Sequence, residues 1–206
     1  MNSPAGKLAL ILACAWAPLG LIAQDATPPA PSVNIEAGLL AKANTGDAAA
    51  QVKVGEQYER AGANEHYRDI AAQDYQQAIA WYLKAANQKS VDGELHLAAL
   101  YRDGGNGFER DMEQAAAWYL KAANQGDVLA QGTLGVLYSM GQGVPHDDAQ
   151  AYFWLDIAAS SKGPNQEKYA STRQMIGERI TADELADVQD RVAAWKAAHP
   201  QPDSSK

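Results

Sequence analysis

The chain has 206 residues, room for one domain or a short run of repeats, and it is acidic: 25 Asp and Glu against 17 Lys and Arg leave a net charge of −8. Without a basic cluster it lacks the concentrated Lys and Arg that nucleic-acid phosphates and anionic lipid headgroups require, so both are set aside as partners. Its single cysteine, Cys14, excludes an internal disulfide.

The first 23 residues read as a secretory signal: Lys7, an apolar run from Leu8 to Ala23, then polar Gln24 and Asp25. The run is short and holds Pro18 and Gly20 near its end, which suits a cleaved leader better than a spanning helix of about 20 apolar residues. Cleavage is expected after Ala23, leaving a periplasmic or secreted chain with no membrane insertion. The cut removes Lys7 and no acid, so the net charge goes from −8 to −9. Lipidation of Cys14 is the disfavoured alternative, since it would leave Ala15 to Ala23 as an apolar start to the mature chain. Residues 24–34, rich in Pro and small side chains, read as a disordered linker, and 200–206 as a disordered tail.

From residue 35 to 160 the sequence repeats itself. Trp81-Tyr-Leu-Lys-Ala-Ala-Asn-Gln recurs unchanged at Trp118, 37 residues on, with a degenerate copy at Trp154. Leu97, Leu100 and Tyr101 recur at Leu134, Leu137 and Tyr138 with the same spacing. Such self-similarity is the mark of stacked supersecondary units. Each unit reads as two helices. The first, A, carries Ala130, Leu134, Leu137 and Tyr138 on one stripe in the third copy. A glycine loop follows, Gly141-Gln-Gly-Val-Pro-His, and then helix B. Asp74, Asp111 and Asp147 each stand seven residues before the tryptophan and are expected to cap the B helices. The first unit carries six extra residues, expected in the loop around Gly62–Asp69. A half-repeat is expected to open the array near Ile35.

After Ser161 the pattern stops, and residues 161–199 read as capping helices. Pro164 can open one helix. Thr181-Ala-Asp-Glu184 forms a capping box for the last, whose stripe is Leu185, Val188, Val192 and Trp195.

These residues resemble the Sel-1-like repeat family, relatives of tetratricopeptide repeats. The third unit supplies Ala130, Leu134-Gly135, Tyr138, Gly141-Gln-Gly143-Val144, Asp147 and Ala151; the second supplies Asp111, Ala115 and Trp118 to Ala123. The resemblance implies an all-α fold, a right-handed α/α superhelix of about three two-helix repeats. The second unit departs from the pattern with Ala98 in place of Gly and Gly107-Phe108 in place of Gly-Val, and the first lacks the loop motif. Cysteine-rich relatives have been linked to β-lactam binding or hydrolysis, but this chain has none of their cysteine framework.

No catalytic constellation is present: no Ser-x-x-Lys, Gly-x-Ser-x-Gly or His-Glu-x-x-His, and no phosphate-binding glycine loop. His66, His96, His146 and His199 are scattered without metal-ligand spacing, so neither a metal nor a cofactor is expected. The expected function is a non-catalytic scaffold or adaptor of the bacterial envelope that binds a protein partner. A structural or regulatory part of an envelope assembly and a β-lactamase-like hydrolase are the alternatives. Opposite the packing stripe of each A helix, the residues change from unit to unit: Lys53, Glu56 and Arg60, then His96, Ala99 and Asp103, then Thr133, Val136 and Met140. A face that reads a partner must differ along its length, so these are the candidate contact residues.

Overall fold

The computed structural model describes residues 33–199. The expected leader with Cys14, most of the linker and the tail lie outside the described residues. Among the described residues there are nine helices: α1 (Ala37–Asn44), α2 (Ala48–Asn64), α3 (Arg68–Ala86), α4 (Val91–Asp103), α5 (Met112–Asn124), α6 (Val128–Met140), α7 (Asp148–Ser160), α8 (Gln166–Gly177) and α9 (Ala182–Ala198). They form a right-handed α/α superhelix in which α2, α4 and α6 are the A helices and α3, α5 and α7 the B helices. The short α1 supplies the half-repeat expected at the start.

Local chemistry starts and stops these helices in register. Asp47, Ser90 and Asp127 accept the amides of Ala50, Gly93 and Ala130 at the first turns of α2, α4 and α6. Asp111 and Asp147 do the same for Gln114 and Gln150 on α5 and α7. Each such cap satisfies an otherwise unpaired N–H and contributes about 1 kcal/mol.

Asp74 does not follow suit. Helix α3 begins six residues earlier, at Arg68, and Asp74 lies buried within it. The six extra residues of the first unit do not make a loop either. They lengthen the hairpin: α2 and α3 have 17 and 19 residues, where α4, α5, α6 and α7 have 13 each. No proline interrupts this stretch. Gly62 lets α2 lie close to the Ala71 carbonyl and the Tyr75 ring of α3, so the longer pair still packs. An insertion between two helices that holds no proline here continues both of them, leaving only residues 65–67 outside a helix.

The core is built from the repeated stripe. Val54, Leu97 and Leu134 are buried at one register of the A helices, and the alanine pairs 85–86, 122–123 and 158–159 at another of the B helices. Trp81 and Trp154 are buried, whereas Trp118 is only partly so, with the Lys121 ammonium 3.4 Å above its ring.

A polar clasp recurs inside this apolar stack. Gln51 donates to the Ala43 carbonyl at 3.0 Å and Gln131 donates to the Ala123 carbonyl at 3.2 Å, each tying an A helix to the end of the helix before it. From the following helix end, Gln88 donates to Gln51 at 2.8 Å and Gln125 to Glu94 at 2.7 Å. Glu94 thus stands in the second unit where the others have glutamine. Buried polar groups are tolerated when bonded in this way, and the bonds fix the stacking register of one unit on the next.

Helix α8 extends the series. Gln166 donates to the Ala159 carbonyl at 3.2 Å, as Gln51 and Gln131 do to their own alanines. The Tyr169 ring is buried and fills the space beside Gly132 of α6. So α8 occupies the place of a fourth A helix. Helix α9 packs on α7 through Val188 and Val192. Its Thr181 and Glu184 form the reciprocal capping box. Asp156 of α7 holds both helices, by ion pairs to Arg173 on α8 and to Lys196 on α9.

Candidate interaction face of the A helices

The A helices follow one another along one side of the array. Glu56 of α2 meets His96 of α4. Leu95, His96, Ala99 and Arg102 of α4 share a pocket of about 230 Å³ with Tyr119 of α5 and Leu129 of α6. In a superhelix of helix pairs this is the inner side.

The candidate contact residues fall into two groups. Lys53, Arg60 and Asp103 are exposed, and Met140 keeps 60% of its surface open to solvent. Glu56, His96, Thr133 and Val136 are half-buried. The structure brings Glu56 and His96 together and pairs Asp103 with Arg102, its neighbour on the same helix. Two of the expected free contacts, Glu56 and His96, are therefore engaged within the protein. The cause is the side-by-side approach of α2 and α4, which a wheel for a single helix cannot display.

Sequence reasoning passed over the partners of these residues. Tyr82 and Tyr119, which follow the repeated tryptophans, both send their hydroxyls toward the A helices. Tyr82 donates to Glu59, and the Tyr119 oxygen accepts from Arg102 at 2.8 Å. The Tyr82 ring also stacks on His96, with centroids 4.7 Å apart and planes inclined by 12°. The identity of the Trp-Tyr copies was the available signal, but it reads equally well as core packing. Helix α8 adds a further rung missed in the sequence: Lys168, Ser171 and Met175 stand in the register of Thr133, Val136 and Met140, and all three are exposed.

The electrostatics of the α2–α4 contact are specific. Burial by itself would raise the Glu59 carboxyl, but the adjacent His96 imidazole and the hydrogen bond from Tyr82 hold it below the usual range. The His96 imidazole is raised by the close approach of Glu59, against the effect of burial, with help from the charges of Glu56 and Asp92. The Tyr82 phenol is pushed up by burial and by the same glutamate.

Elsewhere the histidines stay apart. His66 is exposed in the turn between α2 and α3, His146 lies against Arg179 and Asp148, and His199 stacks on Trp195. Among the described residues no group of three His, Cys, Asp or Glu side chains is arranged to hold a metal ion. Among the same residues no helix is long and apolar enough to cross a membrane.

Comparison with known proteins agrees with this geometry. The family described as Sel1 repeat matches residues 48–90, 91–127 and 128–162 in three consecutive copies. The first match begins on the first residue of α2, and each of the others opens on an A helix. No curated protein matches the chain. Two solved structures are similar. One is a protective antigen present in uropathogenic Escherichia coli strains displaying an SLR fold, with a TM-score of 0.59 and 27% identity over 82% of this chain. This chain spans only 36% of that antigen. The other is a Sel1 repeat protein from Oxalobacter formigenes, with a TM-score of 0.52 and 29% identity over 64% of this chain and 92% of its own. Three family matches in register with three observed helix pairs establish that the chain belongs to the Sel1 repeat family, whose members are generally protein-interaction scaffolds.

Proposed function

We propose that the chain is an exported, non-catalytic adaptor of the bacterial envelope that binds a protein partner along the inner face of its A helices. One observation carries this reading. The packing stripe is nearly the same in each unit, whereas the three positions opposite it on each A helix change, from Lys53, Glu56 and Arg60 at one end to Thr133, Val136 and Met140 at the other. Structural positions in a solenoid are held alike by like neighbours, while a recognition surface must vary to discriminate partners. The apolar end is the better seat for partner side chains, because Leu129 and Met140 keep 52% and 60% of their surfaces exposed, and methionine adapts to irregular partners.

Photo-crosslinkers placed at Ala99 and Val136 are expected to yield one discrete adduct in intact envelopes, and one at exposed Ala117 of α5 none. The double change Arg60→Glu with Met140→Asp should leave the melting midpoint nearly unchanged and weaken that adduct about tenfold, or about 1.4 kcal/mol. Adducts at Ala117 alone, or full recovery by the folded double variant, would put the binding surface elsewhere. Export is checked separately by intact mass: the mature chain should begin at Gln24, and a mass that includes residues 1–23 or lipid on Cys14 would refute it.

A further inference from the structure

We propose that His96, gripped between Glu56 and Glu59 and stacked on Tyr82, is an acid-strengthened latch that fastens the first repeat to the second. The inference is independent of any partner.

The geometry joins two units. His96 belongs to α4, in the second repeat; its Nε2 lies 3.3 Å from Glu56 Oε1 and its Nδ1 3.6 Å from Glu59 Oε2, both on α2 of the first. Each ring nitrogen therefore faces a carboxylate, and a neutral imidazole, with one N–H, can donate to only one of them. Protonation supplies the second donor and a charge together. Tyr82 of α3 forms the floor, its ring stacked on the imidazole and its hydroxyl donated to Glu59. The glutamate is thereby fixed in place rather than free to turn to solvent.

Among the described residues no cation adds to or opposes the charges that act on His96. The charges bearing on His96 are those of Glu59 and Glu56 from α2 and Asp92 from its own helix. Arg102 shares the adjoining pocket, but its guanidinium is taken by Asp103 and the Tyr119 hydroxyl. Helix α6 brings only Leu129 to that pocket.

The direction of the pH effect follows. The imidazole is raised above its ordinary value, so its contribution is complete below about pH 6.5 and is lost as the pH rises through the raised value. Glu59 is held below the ordinary carboxylate range, so it stays ionised through that window and fails only in stronger acid. The latch is thus tightest in mild acid and slackens as the pH rises through that raised value. Because each unit of a solenoid is held only by its neighbours, a change at this one junction acts on the α1–α3 end and spares the rest.

Hydrogen exchange of the full chain at pH 6 and pH 8, corrected for the intrinsic rate of amide exchange, tests the latch. In the wild type, protection in α2 and α3 should fall by about two- to fivefold between the two conditions, a modest effect because His96 is partly solvated, while α6 and α7 should change little. The double variant Glu56→Gln with Glu59→Gln keeps an acceptor for the Tyr82 hydroxyl and should lose the difference. An equal fall in that variant, or no fall in the wild type, overturns the proposal. Should the variant fail to fold, the imidazole Cε1 proton of wild-type His96 decides: a titration midpoint above about 6.5 supports the latch, and one at or below it overturns the latch.

Discussion

Replacing Glu94 with glutamine should stabilise the protein near neutral pH. In the first unit, Gln51 donates to Ala43 and accepts from Gln88; in the third, Gln131 donates to Ala123. Glu94 occupies the same register and is 4% exposed. As a carboxylate it accepts from Gln125 but has no proton for the matching carbonyl, that of Ala86. Burial raises its carboxyl above the ordinary value, opposed by the Gln125 bond and by the charge of Lys121. Glutamine would add one hydrogen bond, about 1 kcal/mol, and remove the cost of a buried charge. Against this stand the weakening of a charge-assisted bond and the loss of a screened attraction to an exposed lysine, worth a few tenths of a kcal/mol. The net gain is about 0.5–1.5 kcal/mol, which for a chain of this size raises the melting midpoint by about 2–4 °C per kcal/mol. The pH dependence has a definite sign. A raised carboxyl costs stability only where it must be ionised, so the penalty on the wild type is absent in acid and grows as the pH rises through the raised value. The advantage of Glu94→Gln should therefore be present at pH 7.5 and shrink at pH 4, where a protonated Glu94 can itself donate. Thermal unfolding followed by helical circular dichroism at both pH values reads this out. A variant that melts below the wild type at pH 7.5, or whose advantage widens in acid, would refute the reasoning.

Three further outcomes follow from single positions. Lys89 has φ +62° where Gly46 and Gly126, at the same place in the neighbouring units, have +100° and +93°, so Lys89→Gly should raise stability by about 0.5–1 kcal/mol in urea denaturation, the left-handed strain relieved exceeding the added chain entropy. Gly143 has φ +70°, and a Cβ there would run into the Met112 carbonyl at the start of α5; Gly143→Ala should cost about 2–3 kcal/mol in the same assay, and a neutral result would mean that the loop is not seated as described. Trp154, buried and edge-on to Phe153 at 5.0 Å, should lose about 3–5 kcal/mol on change to Ala, whereas the half-exposed Trp118 should lose about 1–2; equal losses would contradict the burial difference.

Particular residues show how much of the fold was legible in the chain alone. The 37-residue recurrence of Trp-Tyr-Leu-Lys-Ala-Ala, the aspartates at 111 and 147, and the box from Thr181 to Glu184 carry their structural meaning locally. A helix period and a free first-turn amide depend on neighbours within a few residues, so both the helix pairs and most of their ends were legible. Asp74 shows where that locality ends, since its environment was decided by whether six inserted residues would loop out or continue two helices, and the packing of Gly62 against α3 settled it. Only tertiary structure revealed that Glu56 and His96 face each other, that Glu94 occupies a glutamine's place in a buried clasp, and that α8 stands as a fourth A helix. The first joins residues 40 positions apart and the second residues 31 apart, and the third is a relation between a helix and the unit it stacks on. A stripe computed for one helix gives the direction in which a side chain leaves its own axis, while what it meets is set by how the next unit is translated and turned.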